Sequence, residues 1–273
     1  MYFRKDNHDI FYRTWVPGGS SKAVVVIVHG YGEHSGRYNP AASALAGAGY
    51  RVYAYDHPGH GGSRGKKGLV EGLEKLADVL GDFTAFAAEE EPGYKVFVLG
   101  HSMGGVVSAL YASRLPGDGP VSGLITTGAA VEVKPSMGKG LQKTLRAVSR
   151  IAPGLPTIKL SRAKLSKDIE VVDSYDRDPL NYSGRVKLKT GVELSRAFRL
   201  ITENAGNITI PLLVLHGGED TLSLPGGSSL IHDSASSGDK KIRIFPGLKH
   251  EILNEPEKNM VFEEIINWLD SRV

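Results

Sequence analysis

Gly100-His-Ser-Met-Gly104, set between the apolar run 96–99 and the small-residue stretch 105–112, constrains this chain more than any other segment. An apolar strand that passes directly into a helix, with a serine at the junction and glycines two positions to either side, predicts a sharp turn that lifts Ser102 Oγ clear of the backbone. A serine so placed is a candidate nucleophile. A second glycine-rich segment, His29-Gly-Tyr-Gly32, follows another buried-strand run at 24–28, where a loop that offers backbone N–H groups to a developing oxyanion belongs. The N–H groups of Tyr31 and Met103 are the expected pair, one on that loop and the other directly after the serine.

Around these two turns the pattern alternates. Short strands are expected at 2–5 and 10–15, flanking turn residues Asn7, His8 and Asp9. Then follow strand 23–28, helix 38–48, strand 51–55, helix 73–89, strand 95–99, helix 103–114 and strand 121–126. Strands that are apolar almost throughout require a sheet covered on both faces, so the fold class is α/β with a mostly parallel central sheet. The rhythm breaks after Thr127 and returns with strand 212–215, helix 227–235, strand 241–245 and a last helix at about 256–271. Some eighty residues between are too many for a connection, so 130–208 are expected to form a mainly helical cap on a core made of 1–129 and 209–273.

The partners of a serine nucleophile are expected later in the chain, first a carboxylate and then a histidine, each just past a strand. His216-Gly-Gly-Glu-Asp220 and Pro246-Gly-Leu-Lys-His250 fit both places. Asp220 would orient the imidazole of His250, which takes the proton of Ser102; Glu219 is the rival carboxylate. His216 ends a buried run and reads as a hydrogen-bonded structural histidine.

Composition removes other classes of function. With 33 Lys and Arg against 30 Asp and Glu, there is no concentrated basic footprint for nucleic acid. Cysteine is absent, which excludes disulfides and thiolate chemistry, and no Asp/His spacing suits zinc, so neither metal nor cofactor is expected. Residues 1–11 lack the apolar core of a signal peptide and no run reaches transmembrane length, which points to a cytoplasmic address and, at most, peripheral membrane contact.

His29-Gly-Tyr-Gly-Glu-His-Ser-Gly-Arg-Tyr38, Asp56-His-Pro-Gly-His-Gly-Gly-Ser63, Gly100-His-Ser-Met-Gly-Gly105, Asp178-Pro179 and the Asp220 and His250 segments together resemble the monoacylglycerol lipase family of α/β-hydrolases, which includes lysophospholipase-like members. The likeness spans nearly the whole chain. It implies an α/β-hydrolase fold with a cap over an acyl-chain channel, a triad of Ser102, Asp220 and His250, and oxyanion positions at Tyr31 and Met103. It also implies hydrolysis of monoacylglycerol to fatty acid and glycerol through an acyl-enzyme. The residues alone reach only a carboxylic ester hydrolase, so lysophospholipids and shorter-chain esters stay open as alternative substrates.

Other conspicuous side chains read as support. Glu33 and Arg37 are spaced to brace their own loop by a charge-assisted bond, and His57 and His60 lie in a Pro/Gly-rich turn where hydrogen bonds to the loop are expected. In the cap, Met137, Leu141, Leu145, Val148 and Ala152 recur three and four apart, with Lys139, Lys143, Arg146 and Arg150 largely on other faces. This amphipathic helix either packs on the core or meets lipid aggregates. A second helix, at 190–202, presents Val192, Leu194, Phe198 and Ile201. Leu141, Leu145, Val148 and Phe198 are the candidate substrate-binding residues.

Overall fold

The computed structural model describes residues 1–5, 8–115, 119–131 and 139–273. An eight-stranded sheet runs in the order β1-β2-β4-β3-β5-β6-β7-β8. Strands β1 (Tyr2–Lys5) and β2 (His8–Trp15) pair antiparallel, and β2 pairs antiparallel with β4 (Arg51–Tyr55). The other ladders are parallel and join β4, β3 (Val24–Val28), β5 (Val96–His101), β6 (Gly123–Thr127), β7 (Leu212–Gly217) and β8 (Lys240–Phe245). Because side chains alternate across a strand, each apolar run feeds two cores. Val24, Val26, Val28, Val96, Val98, Leu212 and Val214 face one side. Val25, Ile27, Phe97, Leu99, Leu213 and Leu215 face the other.

Helices cover each core with matching stripes. Leu73, Leu76, Ala77 and Leu80 recur three and four apart along α2 (Leu73–Glu90) and bury beside α3 (Met103–Ala112) and Ile231 of α8 (Pro225–Ser234). On the opposite face lie α1 (Asn39–Gly47) and α9 (Lys258–Asp270), which contribute Ala41, Leu45, Ile265 and Trp268. This is the α/β-hydrolase arrangement, and it aligns the carboxyl ends of β3, β5, β7 and β8 along one rim.

Between β6 and β7 the chain leaves the alternation and forms α4 (Lys139–Ile151), α5 (Ile169–Arg177), α6 (Leu188–Ser195) and α7 (Ala197–Asn204). These helical insertions are consistent with a cap. The start of helix α5 is set by Asp168, whose side chain accepts from the N–H of Glu170 at 2.9 Å.

Two expected features differ. Asp9 and the backbone of His8 belong to β2, in register with Arg4 and Lys5, because pairing with β1 continues where a turn is expected; Asn7 lies outside the described residues, as does Met137. The single helix expected at 190–202 is two helices that meet at Arg196. Its N–H reaches Glu193 O at 3.0 Å, a three-residue closure that tightens the turn, and its guanidinium is held by Glu193 and Glu74, each at 2.6 Å. After this break Ala197, Leu200 and Ile201 turn into the main core.

Candidate active site

Ser102 stands between β5 and α3 with φ 54° and ψ −118°, and is the only non-glycine with positive φ among the described residues. Strain of this kind costs about 1–3 kcal/mol and persists only where the surroundings enforce it. Here the Ser102 N–H donates to Thr127 O at 2.9 Å, and the flanking glycines let three elements close on the turn. A Cβ on Gly100 would come within 2.5 Å of Gly104 O and Ser108 Oγ, and one on Gly104 would collide with Val28 O.

The two later segments converge on this serine. His250 Nε2 lies 2.9 Å from Ser102 Oγ and its Nδ1 lies 2.7 Å from Asp220 Oδ2. Asp220 Oδ1 accepts from the N–H groups of Leu222 at 2.8 Å and Ser223 at 2.9 Å. The carboxylate fixes the proton on Nδ1 and leaves Nε2 free to accept the serine proton. Burial opposes ionisation of Asp220, yet the bonds from His216 and His250 override it and hold the carboxyl well below its ordinary range. Burial likewise disfavours a charged His250, but Asp220 outweighs it and raises this imidazole above 6.5. Glu219, the rival carboxylate, is exposed.

The loop after β3 is braced from three directions. Glu33 Oε1 accepts from Gly30 N and from the Tyr38 hydroxyl, both at 2.7 Å. Its Oε2 meets Arg37 at 2.9 Å, and Arg37 forks onto Glu251 at 2.7 and 2.8 Å, tying the loop to the residue after His250. Burial pushes the Glu33 carboxyl up, but Arg37 and the neighbouring donors prevail and bring it to about 2. From the insertion, Tyr175 Oη and Tyr182 N–H both donate to Gly32 O at 2.7 Å. Between these anchors the Tyr31 backbone flanks the cavity together with Met103, the first residue of α3, whose N–H has no partner one turn back within the helix. His57 also lies in this support: its N–H donates to His29 Nε2 at 2.8 Å, and its own Nε2 donates to His29 O at 3.1 Å.

Above the serine opens a cavity of about 650 Å³, roofed by the insertion. Its wall is mainly apolar, with Leu145, Ile158, Val192 and Leu194 among its residues, while Glu33, Glu251 and, from the insertion, Tyr175 add polar groups. Of the four candidate substrate-binding residues only Leu145 lines it. Leu141 and Val148 are exposed, because α4 turns one edge of its stripe inward and leaves the rest to solvent. Phe198 packs against the main core, carried there by the break at Arg196. On the insertion, Ile151 is 88% exposed, and Ile158, in the cavity wall, is 65% exposed.

The sequence reading did not anticipate Glu251, Tyr175 or Tyr182. Glu251 had one available signal, its adjacency to His250. The two tyrosines had none, since their partner is a backbone carbonyl in a distant loop. Among the described residues no group of three or more His, Cys, Asp or Glu side chains could hold a metal, and no helix is long and apolar enough to cross a membrane.

A doubly covered α/β sheet bearing a serine on a strained strand-to-helix turn, hydrogen-bonded to a histidine and through it to an aspartate, defines a serine hydrolase of the α/β-hydrolase superfamily. A family model described as "Serine aminopeptidase, S33" matches residues 19–257. The monoacylglycerol lipase of Mycolicibacterium smegmatis is 35% identical over 264 residues, covering 97% of this chain and 94% of that protein. The Homo sapiens monoglyceride lipase is 34% identical, covering 98% and 88%. The crystal structure of Paleococcus ferrophilus monoacylglycerol lipase superposes with a TM-score of 0.84 at 32% identity, covering 97% of this chain and 99% of that one. The chain belongs to the monoacylglycerol lipase family.

Proposed function

We propose that this protein hydrolyses monoacylglycerols to free fatty acid and glycerol through an acyl-enzyme on Ser102. The observation that carries the proposal is the hydrogen-bonded line Ser102, His250, Asp220 beneath a mainly apolar cavity. Ser102 Oγ attacks the ester carbonyl carbon as its proton passes to His250 Nε2, and Asp220 stabilises the imidazolium. The Tyr31 and Met103 N–H groups receive the charge that develops on the carbonyl oxygen. His250 then protonates the departing glycerol oxygen, and water repeats the sequence on the acyl-enzyme to release the acid.

The apolar wall suits one acyl chain, and the polar groups beside the serine suit a small hydroxylated leaving group. The names borne by the relatives point the same way. Residues 130–208 act in this reading as the cap, with the exposed Ile151 as its peripheral contact with lipid aggregates. A lysophospholipid has one specific feature in its favour, the exposed Arg146 in the cavity wall, which can meet a phosphate.

Ser102→Ala should lower kcat by several orders of magnitude with the fold intact. Near-wild-type turnover by that variant would refute the mechanism. A parallel panel of mono-, di- and triacylglycerols, lysophosphatidylcholine and short p-nitrophenyl esters tests the substrate. A higher kcat/KM on lysophospholipid or triacylglycerol than on monoacylglycerol would overturn that part.

A further inference from the structure

Two histidines face Asp220. Besides His250, His216 at the end of β7 places Nε2 at 3.0 Å from Asp220 Oδ2, and neither side chain of that pair has exposed surface. The same nitrogen lies 2.7 Å from Ser223 O, so it faces two acceptors and must carry the proton. The other ring nitrogen, Nδ1, lies 2.7 Å from the Ser228 hydroxyl on α8 and accepts from it. His216 is thus anchored at both ring nitrogens, with its Nε2–H given to Ser223 O and lying against Asp220 Oδ2.

The two carboxylate oxygens are held differently. Oδ1 is bonded to the backbone of Leu222 and Ser223, whereas Oδ2 is bonded by His250 and has His216 Nε2 against it at 3.0 Å. On the mechanism proposed above, His250 gains and loses a proton in each half-reaction, so its hold on Oδ2 tightens and relaxes. His216 takes no part in that transfer. Ser223 closes the arrangement, giving its N–H to Oδ1 and its carbonyl to the His216 ring.

We propose that His216 is a positioning residue for the triad carboxylate: its Nε2–H, immobilised by Ser223 and Ser228, keeps Asp220 Oδ2 aligned with His250 Nδ1 through both half-reactions. The proposal rests on the reading of Ser102, His250 and Asp220 as the catalytic triad. It goes beyond a packing role, because a packing role requires only the volume of the ring.

The test compares His216→Phe, which keeps a ring and removes the donor, with His216→Gln, which keeps a side-chain N–H. Two readouts are taken: hydrolysis of a soluble p-nitrophenyl ester, and the downfield proton resonance of His250 Nδ1–H in the substrate-free protein. His216→Phe is expected to lower kcat about tenfold, the scale of a lost hydrogen bond to a charged group, and to move the resonance upfield. KM should stay within about twofold, and His216→Gln should retain kcat within about threefold together with the resonance. Ser228→Ala, which releases Nδ1 of His216 without touching Asp220, should move the resonance the same way by less, and serves where the Phe variant does not fold.

A Phe variant that loses activity with the resonance unmoved, or that keeps both, overturns the proposal. So does a Gln variant as impaired as the Phe variant, or a Ser228→Ala protein with an unchanged resonance. Retained activity in Ser102→Ala would instead remove the proposed hydrolytic mechanism, while the resonance comparison would still decide whether His216 orients Asp220.

Discussion

Arg37→Met is expected to destabilise the fold strongly at neutral pH and much less in acid. Arg37 makes three charge-assisted bonds, one to Glu33 and two to Glu251, and the two carboxylate side chains are only 5% and 3% exposed. Methionine fills much of the same volume but leaves two buried carboxylates without their cation. Breaking a buried ion pair from one side costs roughly 3–5 kcal/mol. For a chain of 273 residues, the unfolding entropy converts each kcal/mol into roughly 2 °C, so the midpoint should fall by about 6–10 °C.

The pH dependence gives the test its sign. In the wild type the folded-state value of Glu33, about 2, lies below its ordinary 4.5, so its stabilisation is full above 4.5 and is lost as pH falls toward 2. Without Arg37, burial acts with less opposition and the carboxyl moves above its ordinary value. Its cost is then present at neutral pH and fades as the pH falls through that raised value. Thermal unfolding of both proteins at about pH 7.5 and about pH 5 should show the gap narrowing in acid. A gap under about 2 °C at neutral pH, or one that does not change with pH, would refute the argument.

Three further outcomes follow from the site. Because Asp220 raises His250 above its ordinary value and the base must be neutral, kcat/KM on a soluble ester should climb with pH through a midpoint above 6.5 and then level; a profile flat from about pH 5 to 8 would remove His250 as the base. Asp220→Asn should cost roughly 10⁴-fold in kcat by presenting the wrong tautomer to His250, while the exposed Glu219→Gln changes little; the reverse ranking would move the acid to Glu219. Ile151→Asp should reduce hydrolysis of a long-chain monoester in vesicles several-fold, and leave a soluble short-chain ester unaffected; equal loss on both substrates would mean that this side chain supports the fold.

What could be read from the linear chain was what the chain expresses locally. Apolar runs at 24–28, 96–99 and 212–215 carry their strand identity in adjacent residues, since backbone pairing and side-chain alternation repeat over two positions. The turn at Ser102 is equally local, being specified by glycines two residues away on each side. The pairing of Asp220 with His250 was legible because each lies a few residues past the end of a strand, and parallel strands bring their carboxyl ends to one rim whatever lies between them.

Tertiary structure decided which surfaces meet. The apolar period of α4 marks a stripe, but only the lie of the insertion turns Leu145 inward and leaves Leu141 and Val148 in solvent. Phe198 shows the same limit, because one tightened turn at Arg196 redirects everything after it. The bonds that brace the site span long separations: Arg37 to Glu251 across 214 residues, and Tyr175 to Gly32 across 143. Neighbouring residues set backbone conformation through short-range sterics and hydrogen bonding. A charge pair or a cavity wall exists only after remote segments have packed, and no local pattern encodes the angle at which they do so.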